Sequence, residues 1–286
     1  MKARGTWLVS MMIAVSMVFL GLTGCSALGD PSTTEDLLVR YAANPNNMNF
    51  EADANVDLAL SLSGFRTDVP VTAHVAVAGA AAHGTATVDL SAIDAQNRSY
   101  EFYIEQDGTN YVAFLRMTND ANAKWSRLEI DCTFSFDIPA LVKILSESRF
   151  LLIAYDEDEA VHYELSMPAE TIVSTLFGMG DISATFTDLN EQTINDALGT
   201  SRLHLRFNKD CLVRSIALSC NFTYTDKEII PVPVKVGLDL SCVMDKYGTV
   251  DASSVEVPQE VRKDATIDDD PFGIKAMSND LMSAAN

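Results

Sequence analysis

Basic residues are scarce in this chain. Twenty Lys and Arg stand against 40 Asp and Glu in 286 residues, a formal net charge of −20. Phosphate backbones and anionic head groups repel such a chain, which excludes nucleic acid as a partner. Catalytic signatures are missing as well. The sequence holds no GxSxG, no P-loop, no HExxH and no GxGxxG behind a strand. It also lacks CxxC and any Cys/His pair at ligand spacing, which argues against a metal centre. Only four histidines occur: His74, His83, His162 and His204. They fall in strand or turn segments, mostly on wet faces, and read as solvated side chains. Asp156–Glu159 and Asp268–Asp270 are acidic runs without the spacing of a calcium loop, so they read as solvated too. These absences point to a protein that is not an enzyme and needs no cofactor.

What the chain does have begins at its N-terminus. Lys2 and Arg4 form a positive region, and Trp7 to Leu20 is an apolar run broken only by Ser10 and Ser16. The run is short for a membrane span and no stop-transfer pattern follows it, which is the pattern of an export signal. Leu22-Thr23-Gly24-Cys25 closes the segment. It resembles the bacterial lipobox, in which the Cys thiol receives a diacylglycerol and the signal is cut just before it. The resemblance implies a signal peptide over 1–24 and lipidation at Cys25. Two buried acyl chains give a stable anchor where one gives only marginal binding. The expected location is extracytoplasmic, on the outer face of a bacterial cell membrane. Ser26–Thr34, small and polar, reads as a tether completing a 25–34 segment. Lys2 and Arg4 leave with the signal and no acid does. The mature balance is then 18 basic against 40 acidic residues, net −22.

Four cysteines remain: Cys132, Cys211, Cys220 and Cys242. Export permits disulfides, and four cysteines allow three full pairings, among which the sequence does not choose. Buried free thiols are the plainer alternative.

A short helix is expected first, capped by Thr33 or Thr34 and ended by Asn44-Pro45-Asn46-Asn47. The clearest strand follows. Phe50, Ala52, Ala54, Val56, Leu58, Leu60 and Leu62 alternate with mostly polar residues over a length of roughly 45 Å at about 3.3 Å per residue. Further strands are expected through Val69–Val77, Ala86–Leu90, Ser99–Gln106, Asn110–Met117 and Lys124–Ile130. Asp107-Gly108 supplies a hairpin turn. Midway, helices are expected from Asp137 to Leu145 and from Pro168 to Phe177, with a weaker one over Asp188–Leu198. A hairpin of Phe150–Tyr155 and Ala160–Met167 lies between the first two. The chain then returns to strand at Arg202–Phe207.

Two long strands come next, one bearing Ile216, Leu218, Cys220 and Phe222 and the other Leu238, Leu240 and Cys242. A turn near Lys227–Glu228 would place Cys220 opposite Val236. That is six residues from Cys242, so these two should not bond. Ser254–Val257 reads as a last short strand, and 263–286 as an acidic, disordered tail.

About ten strands of this length must curl, and helices must cover the apolar side. The expected fold is α+β: a large curved antiparallel sheet, a half-barrel, with short helices over the concave face. This arrangement resembles the LolA/LppX-like superfamily of bacterial lipoproteins, in particular its uncharacterised Gram-positive branch. The resemblance is carried by the lipobox, by Tyr103…Asp107-Gly108…Tyr111-Val112…Trp125, by the mid-chain helices and by Val255-Glu256-Val257-Pro258-Gln259-Glu260-Val261. It covers most of residues 33–262, within a domain placed at 35–262.

The resemblance implies a hydrophobic ligand, a lipid or acyl chain, held between sheet and helices. Strand alternation selects the lining: Val56, Leu58, Leu60 and Leu62; Phe102 and Ile104; Ile216, Leu218 and Phe222; Leu238 and Leu240. A non-enzymatic envelope module that senses stress by binding a partner protein is the alternative.

Overall fold

The computed structural model describes residues 34–62, 65–93, 96–108, 110–130, 151–157, 160–168, 202–226 and 230–267. One sheet organises them. Twelve strands follow the order β12-β6-β5-β4-β3-β2-β1-β11-β10-β9-β8-β7. The strands are β1 (Asn49–Leu62), β2 (Phe65–Ala78), β3 (Ala81–Val88), β4 (Arg98–Asp107), β5 (Asn110–Met117), β6 (Ser126–Ile130), β7 (Leu151–Glu157), β8 (Ala160–Pro168), β9 (Arg202–Phe207), β10 (Val213–Asp226), β11 (Ile230–Asp245) and β12 (Thr266–Ile267). Every pairing is antiparallel except β12 on β6. The order does not close, so the sheet is an open half-barrel.

The alternation read from the sequence sets the faces. Along β1, Phe50, Ala52, Val56 and Leu58 are buried, while Asp53, Asn55 and Asp57 are exposed. Register carries this parity across the sheet. Ala52 pairs with Met244 and Val75, Val56 with Leu240 and Val71, and Leu58 with Leu238 and Val69.

The helix α1 (Thr34–Ala43) lies on the inner face. Its apolar side carries Leu37, Leu38, Tyr41 and Ala42, all buried. On its outer side Asp36 and Arg40 form an i,i+4 ion pair at 2.8 Å. One apolar cluster joins α1 to residues of eight neighbouring strands, from Tyr111 and Ala113 of β5 to Phe207 of β9. A flat sheet would spread those strands over about 34 Å at ~4.8 Å per spacing. A ten-residue helix is only about 15 Å long. Curvature brings the strands around it, and the Tyr41 ring meets Phe207 edge-on at 6.1 Å.

Several boundaries differ from those read in the sequence. Pro168 was expected to open a helix and instead ends β8. The expected helices at 137–145, 169–177 and 188–198 lie outside the described residues. Ser254–Val257 is not a strand. Asp251 caps a short helix there, α2 (Ala252–Val255), by accepting from the Ser253 N–H at 3.0 Å. The Val-x-Val alternation came from a helix end followed by an extended residue, which buries Val255 and Val257 alike. The expected tail begins with structure. The helix α3 (Gln259–Asp264) spans Lys263, and Thr266 and Ile267 then pair in parallel with Ser126 and Arg127.

Cys220 sits opposite Leu238, not Val236. The register shifts between Tyr224 and Asp226, where β11 carries Pro231 and Pro233, residues with no N–H to give the ladder. Cys242 pairs with Ile216, so Cys220 and Cys242 remain separated along the sheet. Cys242 carries a free, buried thiol in the α1 cluster, to which the equally buried Cys211 also belongs. Burial, and then the charge of Asp53, pushes the Cys242 thiol up to about 11. An unfolded thiol titrates near 8.5, so the fold favours the neutral form. The resulting stability is fully present below about pH 8.5 and is lost as pH rises through about 11. The expected outcome is a urea midpoint that falls over this window and falls less in Cys242→Ala. Reaction of Cys242 with iodoacetamide at pH 8 should require unfolding.

Candidate functional site

Antiparallel register arranges the inner face in rows that run across the strands. Starting at the α1 end, one row joins Ile216, Cys242, Ala54 and Ala73. The next joins Leu218, Leu240, Val56 and Val71. Then come Cys220, Leu238, Leu58 and Val69, and last Phe222, Val236, Leu60 and Thr67. The residues expected on β1, β10 and β11 therefore fall into adjacent rows. Val56, Leu58, Leu238, Leu240 and Ile216 are buried, and Leu218 is half-buried. The side chains of Leu60, Leu62 and Phe222 lie outside the described ones, and register alone places their positions.

The expected set does not form one patch. Ile104 pairs with Ala82, which pairs with Val77 and so with Phe50. Phe102 reaches Ala52 the same way, through Gly84 and Val75. Both belong to the α1 end. Ile104 and Ile216 are core members of the cluster under α1, and Phe102 packs against it. These three fill space beneath the helix. The wall beyond the helix is made by Val56, Leu58, Val69, Val71, Leu238 and Leu240, each at most 8 % exposed.

Thr67 is the residue that sequence reasoning missed. It shares the inward parity of Val69 and Val71, while Arg66 and Asp68 beside it are exposed. It is 5 % exposed and its Oγ1 has no hydrogen-bond partner. The signal was available, as one hydroxyl in phase with an otherwise apolar series.

The outer face is built differently. Glu101 lies between His83 and Arg116, with contacts of 3.3 and 2.8 Å. The His83 ring stacks on Tyr103 at 4.2 Å, and the Arg116 guanidinium sits 4.7 Å over the Trp125 ring. Tyr103, Val112, Phe114 and Trp125 close against Val257 and Val261, and Arg262 pairs with Glu105. Two of the four features that carried the family resemblance, the hairpin with its tryptophan and the closing VEVPQEV, thus meet in one clasp. They hold the C-terminal segment to the outside of the sheet and are remote from the inner wall. Burial and the Glu101 charge raise the Tyr103 phenol. His74 is exposed on this face, 2.8 Å from Asp53. Among the described residues no group of three or more His, Cys, Asp or Glu could hold a metal ion. Among them also, no helix is long and apolar enough to cross a membrane.

No family model matches the chain, and no curated protein does. Solved structures similar to it include a DUF1329 family protein from Desulfovibrio piger. That match has 14% identity and a TM-score of 0.26, and covers 79% of this chain and 100% of that one. A putative outer membrane lipoprotein-sorting protein domain from Vibrio parahaemolyticus is 7% identical, with a TM-score of 0.29, over 72% of this chain and 89% of the other. A LolA superfamily protein from Nitrosomonas europaea is 9% identical, with a TM-score of 0.26, over 79% and 98%. A member of the superfamily expected from the sequence is among these neighbours.

Proposed function

We propose that the chain is a membrane-anchored extracytoplasmic lipoprotein that binds or carries a hydrophobic ligand, a lipid or acyl chain, on the inner face of its half-barrel. The observation that carries this reading is the apolar wall beyond α1. Three adjacent strands there present Val56, Leu58, Val69, Val71, Leu238 and Leu240 on one side. A continuous apolar surface of this kind suits an acyl chain, which needs area and few polar contacts. Each methylene taken from water contributes about 0.8 kcal/mol. The proposed anchor is the lipidated Cys25, with 1–24 as signal, 25–34 as tether and 35–262 as the ligand-binding domain.

The test is native mass spectrometry of the full-length Cys25→Ser protein, with displacement of an environment-sensitive fatty-acyl probe. A co-purifying lipid, or saturable probe binding that a natural lipid displaces, is expected. Leu218→Trp and Val56→Trp stand one residue on either side of Leu240 in the same row. Each should weaken probe binding about tenfold or more while the circular dichroism stays unchanged. Ile104→Val, beneath α1, should leave binding unaltered. A ligand-free mass with no displaceable binding would mean that side chains fill the space. It would shift the assignment to an envelope module that binds a partner protein.

A further inference from the structure

Thr67 breaks a rule that its neighbours obey. Every other inward position with a described side chain on β1, β2 and β11 is apolar or a thiol. A buried hydroxyl without a partner is destabilising, because it has given up water and gained nothing. Valine has nearly the same shape, is at home in strands and would carry no such penalty. Serving a structural role alone, this position has no use for oxygen.

We infer that the Thr67 hydroxyl is the polar contact for an uncharged ester carbonyl of the bound acyl lipid. The assignment rests on the ligand reading above and narrows it. Thr67 ends the row that also holds Leu60, Val236 and Phe222, at the end of the wall farther from α1. A chain laid along Val69 and Val71 would bring its polar end to this hydroxyl. A hydroxyl can donate to a carbonyl oxygen without bringing a charge. The rows of Thr67 and Val69 contain no Lys, Arg or His. Arg98 has Thr67's inward parity but lies two strands across from Val71, through Val88, and is engaged by other groups. An ionised carboxylate would enter a chain of net charge −20 and meet no cation in these two rows. A neutral ester has no such conflict.

The experiment compares three pyrene-capped sixteen-carbon probes: a methyl ester, the free carboxylate and the plain hydrocarbon. They are titrated at neutral pH into full-length Cys25→Ser protein, alone and with Thr67→Val or Thr67→Ser. The ester should bind tightest to the parent. Thr67→Val should lose about five- to tenfold in ester affinity, the scale of one neutral hydrogen bond, and leave the hydrocarbon unchanged. Thr67→Ser should keep the ester preference. The ligand-free Thr67→Val protein should unfold at a higher urea concentration than the parent. Equal losses for ester and hydrocarbon, or no loss for either, would overturn the assignment and leave the ligand reading standing. A parent that prefers the carboxylate would do the same. A parent that binds none of the three probes overturns the ligand reading and this assignment with it.

Discussion

Replacing Cys25 with Ser is expected to move the protein from the membrane fraction to the soluble one. Ser has no thiol, so no diacylglycerol is added. The apolar run Trp7–Leu20 is 14 residues long, short of the roughly 20 a spanning helix needs, and cannot substitute as an anchor. Among the described residues the folded part offers no alternative hold. Its charge repels anionic head groups, and the large apolar side chains exposed among the described residues, Val39, Val243 and Ile267, are scattered singly. Two acyl chains bind almost completely where none bind at all, so the expected change is close to all-or-none. Fractionation with immunoblotting measures it. Metabolic labelling with a clickable palmitate should mark the parent and leave the variant unmarked. Membrane retention of an unlabelled variant would refute lipidation as the anchor.

Much of the sheet was legible because strand alternation is a local signal. Seven inward positions in register on β1 fixed its faces, and β9 was read to the residue. The errors share a physical origin. At Ser254–Val257 two buried valines spaced by two mimicked a strand, though a helix end followed by one extended residue buries them equally well. At Cys220 the expected pairing failed, although Asp226 opposite Ile230 agrees with the expected register. Register depends on the bulge that Pro231 and Pro233 impose, and proline effects of that kind are not countable from the turn alone.

The candidate site was legible in its rows and not in its extent. Alternation says which way Phe102 and Ile104 face. It cannot say that they lie four strands away from Leu238, under α1, since strand order is a long-range property. Thr67 went unread for the opposite reason. Threonine is an ordinary strand residue, so one hydroxyl in phase with the apolar series is a weak signal until its burial without a partner adds to it.

Gly84→Val is expected to prevent folding, and Gly84→Ala to destabilise it by about 2–3 kcal/mol. Gly84 lies on β3 between Val75 and Phe102, on the inner face. An ideal Cβ there would stand 2.5 Å from the His74 carbonyl oxygen and 2.6 Å from Phe102 Cζ. The ring could rotate away. The carbonyl could not, because it belongs to the β2 backbone paired with both β1 and β3. Relief requires the strands to separate locally, at a point two residues from the fully packed Ala82. Folding stabilities of about 5–15 kcal/mol leave limited room for a second methyl and a third. Phe102→Leu in the Gly84→Ala background should recover only part of the loss, since it removes the ring clash and leaves the carbonyl in place. Urea midpoints by tryptophan fluorescence give the measurement, with Trp125 in the clasp on the opposite face as reporter. Thr85→Val, one residue along and exposed, is the control and should change stability by less than about 0.5 kcal/mol. If Gly84→Ala folded as stably as the parent, Phe102 would have room to leave the α1 cluster. The division of the inner face into a filled end and a ligand wall would then have to be redrawn.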